Sequence, residues 1–109
     1  MHYLKKVVNI SSSHFLPDYK GPCSNVHGHN WKITVYCQCE DNELNDDEMV
    51  IDFKAIKEIV MKLDHTSLNN FIPVPTAENI SKYLCIKIPR CYCVKVQEAE
   101  GAEVEYVKD

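Results

Sequence analysis

The stretch NWKITVYCQCE, residues 30–40, alternates without a break: Trp31, Ile33, Val35, Cys37 and Cys39 hold one parity, and Asn30, Lys32, Thr34, Tyr36, Gln38 and Glu40 hold the other. An extended chain points successive side chains to opposite faces, so this pattern makes one apolar and one polar surface. It is a half-buried strand. Upstream, roughly from Tyr3 to His14, a second strand carries Leu4, Val8 and Ile10 on its even positions, with Lys6 interrupting that face. Downstream, DNELNDDE at 41–48 reads as a solvated hairpin loop between two apolar segments.

The period changes after Asp52. Phe53, Ile56, Val60 and Leu63 recur at helical spacing behind this N-cap residue, which predicts a helix ending near Leu63. A polar link, DHTSLNNFIPVP, leads to a second N-cap, Thr76, and a helix from about Ala77 to Lys87 that Pro89 ends. Two strands, CYCVKVQE and EVEYV, follow around a short turn containing Gly101. Strand, strand, helix, helix, strand, strand is the order of an α+β domain, an antiparallel sheet with both helices on one face.

A chain of 109 residues can bury one modest core, so one domain over 1–109 is expected. A net charge of -4 provides no basic field for nucleic acid or an anionic membrane, and Arg90 is the only arginine against eleven lysines. The N-terminal residues have no apolar run suited to a signal peptide, and nowhere do eighteen consecutive apolar residues occur. A cytoplasmic location with reduced thiols is therefore expected for the six cysteines.

Carried back along the same strand, the parity of Trp31 and Ile33 includes His27 and His29, with Gly28 between them pointing away. In the first strand, His14 shares the parity of Val8 and Ile10. Three histidines thus converge on the core side of a hairpin. Three neutral imidazoles with a fourth position open form a catalytic zinc arrangement. Cys23, in GPCSNVHGHN, admits three readings: a fourth ligand, a free thiol acting as base or nucleophile, or a loop residue without a role.

Two Cys-x-Cys pairs raise the rival of a four-cysteine zinc site. Cys37 and Cys39 lie on the apolar face, whereas Cys91 and Cys93 oppose the parity of Tyr92, Val94 and Val96, so without a bulge the pairs cannot meet. Thiols that pack strands are the expectation, Cys85 being the remaining one. Glu98 follows Tyr92, Val94 and Val96 on the apolar face, where a carboxylate must be solvated, paired or bound to a ligand. Asp64 and His65, past the first helix, read either as a carboxylate-supported base or as loop polars.

Taken in order, SSSHFL, CSNVHGHNW, MVIDF, LDHTSLN, PTAENISKY and VKVQE resemble the 6-pyruvoyl-tetrahydropterin synthase / 6-carboxytetrahydropterin synthase family over nearly the whole chain. The resemblance implies a T-fold whose subunits form a barrel trimer, two trimers stacking as a hexamer with sites between subunits. By position it implies that His14, His27 and His29 bind Zn2+ and that Cys23 is the catalytic thiol. It makes His65 the catalytic histidine, backed by Asp64, and Glu98 the acid that anchors the pterin. Three residues separate Cys23 from His27, which resembles the carboxy-type enzymes of queuosine biosynthesis. The implied substrate is 7,8-dihydroneopterin triphosphate, with acetaldehyde and triphosphate released. Alternatives are a pyruvoyl synthase, another dihydroneopterin-processing lyase, or a zinc-stabilised binding module. The chain departs from the family at Trp31, where Tyr is usual, at Ile10, where Phe is common, and at Ala99, which offers no hydroxyl where Thr is usual.

Overall fold

The computed structural model describes residues 1–109, the side chain of Cys23 excepted. The alternating stretch lies in β2, His27–Cys39, which pairs antiparallel along its length with β1, His2–His14. On its other side β2 pairs with β3, Cys91–Ala99, and β4, Ala102–Val107, closes the order β1-β2-β3-β4. Between β2 and β3 come α1, Phe53–Met61, and α2, Ala77–Lys87, packed on the same sheet face. The observed topology is the expected ββααββ T-fold.

Burial explains the register. Trp31, Ile33 and Val35 of β2 are almost fully buried and meet Val8 and Ile10 of β1, Val94 and Val96 of β3, and Ile56, Val60, Ile80 and Leu84 of the helices. Each such aliphatic side chain contributes about 1.5–3 kcal/mol by leaving water. Slipping a strand by one residue would turn that whole set to solvent.

Asp52 caps α1 by accepting from the Lys54 backbone N–H, and Thr76 caps α2 by accepting from that of Asn79. The first helix stops at Met61, two residues before the expected end, yet Leu63 stays buried in the turn that follows. Phe53 differs from expectation, being 54% exposed. A helical side chain covers the turn before its own Cα, and at the first helical position there is none to cover. Residues 41–48 are largely exposed as expected, but they lead from β2 into α1 instead of closing a hairpin.

Two bulges in β3 redirect side chains. Tyr36 pairs with Cys93 and Cys37 with Cys91, leaving Tyr92 as the extra residue. The bulge turns Cys91 into the core beside Cys37 and Cys85, while the Cys93 thiol donates to Glu105 on the opposite face. Tyr92 correspondingly lies on the outer face near Tyr3 and Tyr36, off the apolar side expected for it. Cys37 and Cys91 therefore do meet, through the bulge that strict alternation lacks. Cys37, Cys39, Cys85, Cys91 and Cys93 are all buried free thiols, and among the described residues none joins a group suited to a metal. The second bulge pairs Gln97 with Glu103 and Ala99 with Ala102, leaving Glu98 without a partner in the ladder.

The outer edge of β1 is covered where it approaches His14. His65 N–H donates to the Ser11 carbonyl at 2.6 Å and Ser13 N–H to that of Thr66 at 3.1 Å, so the segment after α1 runs alongside β1. The Asn69 side chain clamps the Phe15 backbone from both sides, donating at 3.0 Å and accepting at 3.0 Å. Side chains at this end of the sheet are thus held by ordered backbone on two sides.

Candidate metal centre

Antiparallel register places His14 directly opposite His27 and Ser12 opposite His29. Since the three imidazoles share one face, their rings cluster, with centroids 4.4 Å apart for His14 and His27, 5.0 Å for His14 and His29, and 4.9 Å for His27 and His29. Trp31 forms the floor. Its ring meets His14 and His29 edge-on at 4.9 and 5.0 Å, and its indole N–H donates to the Ser12 carbonyl.

The outer hydrogen bonds set the tautomers. His14 Nδ1 lies 2.8 Å from the Pro75 carbonyl and His27 Nδ1 lies 2.7 Å from that of Asn25. A carbonyl only accepts, so both Nδ1 atoms carry a proton, which in the neutral ring leaves Nε2 as the atom with a lone pair to offer. Burial is the chief cause that lowers the His29 pKa from its ordinary value; Glu98 opposes this, and His14 and His27 reinforce it.

Glu98, aimed by its bulge, reaches the same point. Its Oε1 is 3.3 Å from His14 Nε2 and 3.1 Å from His29 Nε2, and donor atoms from all four residues lie within 4.8 Å of one another. These separations are those of ion pairs, yet among the described residues the buried Nε2 atoms of His14 and His29 have no hydrogen-bond partner. In the neutral Nδ1–H tautomer of His14 it is the Nε2 lone pair that faces the carboxylate oxygen. A buried acceptor left this way costs about 1–3 kcal/mol. A cation bound by those lone pairs removes the cost. Three imidazoles and a carboxylate suit zinc.

Asp64 and His65 form a separate dyad on the covered edge of β1. Asp64 accepts from the Ser11 backbone N–H at 2.8 Å and from His65 Nδ1 at 2.7 Å. Among the described residues that pairing leaves His65 Nε2 without a partner, on a side chain 81% exposed and a backbone at φ 54°. The Ser11 N–H first, and His65 second, hold the Asp64 pKa below its ordinary value.

Beside Glu98 opens a cavity of about 340 Å³, lined by His14, Leu16, Glu98 and Val104 and by Thr76 and Ala77 at the start of α2. A family model described as 6-pyruvoyl tetrahydropterin synthase matches residues 3–109. The chain belongs to that family. Curated relatives from Archaeoglobus fulgidus and Bacillus subtilis are 38% and 35% identical over 73% and 72% of this chain, which spans 66% and 60% of their lengths. The Bacillus relative is a 6-carboxy-5,6,7,8-tetrahydropterin synthase, as is one from Synechocystis, 28% identical over 97% of this chain and 93% of its own. The solved 6-pyruvoyl tetrahydropterin synthase of Caenorhabditis elegans superposes with a TM-score of 0.76 at 23% identity, over 99% of this chain and 96% of its own, and shares the fold.

In this member of the pterin synthase family, the structure brings His14, His27, His29 and Glu98 together and places Asp64 and His65 apart from them. The side chain of Cys23 lies outside the described residues, and its backbone forms a 3-10 turn over Pro22–Ser24. Sequence reasoning missed the Pro75 and Asn25 carbonyls that orient two imidazoles, and the Ser11 amide that fixes Asp64. Backbone acceptors leave no residue-type signature.

Because the folded Asp64 pKa is lowered, its contribution to stability is present above the ordinary carboxylate value, about 3.9, and is lost as pH falls through the lowered folded value. Asp64→Asn is therefore expected to be less stable than the unaltered protein at pH 6, with the gap closing below about pH 3.9. Urea midpoints measured at pH 6 and pH 3 check this, and a gap unchanged at pH 3 would contradict the assigned cause.

Proposed function

We propose that this chain is a zinc-dependent 6-carboxy-5,6,7,8-tetrahydropterin synthase, a lyase converting 7,8-dihydroneopterin triphosphate with release of acetaldehyde and triphosphate. The observation that carries it is the convergence of three imidazoles, two of them held as Nδ1–H tautomers by carbonyls, beside a cavity bordered by Glu98. Family membership and the names of the Bacillus and Synechocystis relatives support this chemistry. The short gap between Cys23 and His27 is the feature of this chain that favours the carboxy product.

In this reading His14, His27 and His29 hold zinc, which when bound supplies Lewis-acid polarisation of the substrate side-chain oxygens. Cys23, as thiolate, removes a proton from the carbon next to those oxygens. His65 moves protons through its Nε2 while Asp64 holds Nδ1–H and the ring orientation. Glu98 pairs with ring N–H groups of the pterin, a charge-assisted interaction. The dyad sits on the outer edge of β1, outside its own chain's histidine cluster, and β1 and β4 both end the sheet. Both facts favour a homo-oligomeric barrel, trimer or hexamer, in which sites are shared between subunits and sheet edges are closed.

Cys23→Ala is expected to keep its zinc and lose about 10²–10⁴-fold in kcat, the range for removal of a general base. Metal content and turnover measured on one preparation test it. Loss of zinc with activity would make Cys23 a ligand.

A further inference from the structure

We propose that Glu98 is a fourth, displaceable metal ligand: its carboxylate closes the site of His14, His27 and His29 in the substrate-free protein, and an arriving pterin ring draws it away. This rests on the reading of the histidine cluster as a zinc site and goes beyond the anchoring role given to Glu98 above.

Donor spacing is the first support. Four ligands at about 2.0–2.1 Å around tetrahedral zinc stand about 3.3 Å from one another. Glu98 Oε1 lies 3.1 Å from His29 Nε2 and 3.3 Å from His14 Nε2. The second support is the direction in which His14 is held. With Nδ1 of His14 committed to Pro75, Nε2 is the ring atom turned toward Glu98, and among the described residues it has no hydrogen-bond partner. Two ligand atoms aimed at one point in this way can both bind one cation.

The third support is the position of Glu98 between two environments. It is the extra residue of a β-bulge, free of ladder pairing, with its side chain 36% exposed and lining the cavity of about 340 Å³. One carboxylate therefore borders both the metal donors and the space open to a ring. It cannot serve zinc and the ring N–H groups in full at once. By linkage, each partner weakens the hold of the other on Glu98 by the same factor. A substrate offering side-chain oxygens compensates for the carboxylate it removes; a pterin ring without a side chain does not.

The test uses the full-length protein, with Zn2+ alone titrated in competition with a chromophoric chelator. Glu98→Ala is expected to bind zinc at least about tenfold more weakly than the unaltered protein, since even outer-shell partners of metal ligands are worth roughly 10–100-fold. Glu98→Gln, nearly the same in shape, should weaken it in the same direction, and circular dichroism checks that both variants fold. The visible absorption of the Co2+-loaded protein should change in both. A side-chain-free pterin should weaken zinc retention in the unaltered protein and leave Glu98→Ala unaffected. Equal zinc affinities with unchanged cobalt spectra overturn the proposal while leaving a three-histidine site intact. Failure of the unaltered protein to bind zinc, or unchanged binding by His29→Ala, overturns the zinc reading itself.

Discussion

His27→Ala is expected to lose its zinc and about 10²–10⁴-fold in turnover while remaining folded. The range follows from the several kcal/mol that a Lewis-acid metal contributes, at about 1.4 kcal/mol per tenfold. His27 is the sharpest of the three histidines to test. His14 is buried and bonded to Pro75, so its removal disturbs packing as well as ligation. His27 is only half-buried, at the mouth of the β1–β2 hairpin, and its outer bond goes to the nearby Asn25 carbonyl. Zinc per subunit, kcat and the urea midpoint measured together separate ligation from folding. A variant that keeps one zinc per subunit removes His27 from the site.

Trp31→Ala is expected to be the most destabilising single change. Trp31 is 1% exposed and is the largest of the fully buried side chains. Truncating such a residue costs about 3–5 kcal/mol, through lost burial and the cavity left behind. The Ser12 carbonyl also loses the indole N–H as donor, worth about 1 kcal/mol. Against a total stability of about 5–15 kcal/mol, this is a large fraction. The edge contacts of Trp31 with His14 and His29 disappear too, so zinc affinity should fall with stability. Trp31→Phe, keeping an aromatic floor but no N–H, should retain most of both. The urea midpoint checks the order, and Trp31→Ala within 1 kcal/mol of the unaltered protein, about the worth of a single hydrogen bond, would contradict this account of the site floor.

Much of this was legible in period alone. Alternation in β2, extended to His27 and His29, placed two imidazoles on the core face, and the same parity in β1 placed His14 opposite them. Both helix N-caps were visible because Asp and Thr bond the first free amides. Bulges were not visible, since one extra residue leaves composition unchanged. Strict alternation therefore puts Tyr92 on the apolar face, from which the bulge turns it outward, and separates Cys37 from the Cys91 that the bulge brings beside it. Glu98 was expected on the apolar face and does lie there, but its reach into the histidine cluster depends on its own bulge. The place of Asp64 and His65 depends on a loop docking on the edge of β1, a long-range contact that spacing along the chain does not encode.

The central claim is zinc-dependent conversion of dihydroneopterin triphosphate to the carboxy product. Mass spectrometry of the products formed from that substrate, with metal analysis of the same protein sample, tests it most directly. The account predicts 6-carboxytetrahydropterin with equimolar acetaldehyde, made only by protein carrying zinc. A pyruvoyl product, or full activity in zinc-free protein, would contradict it.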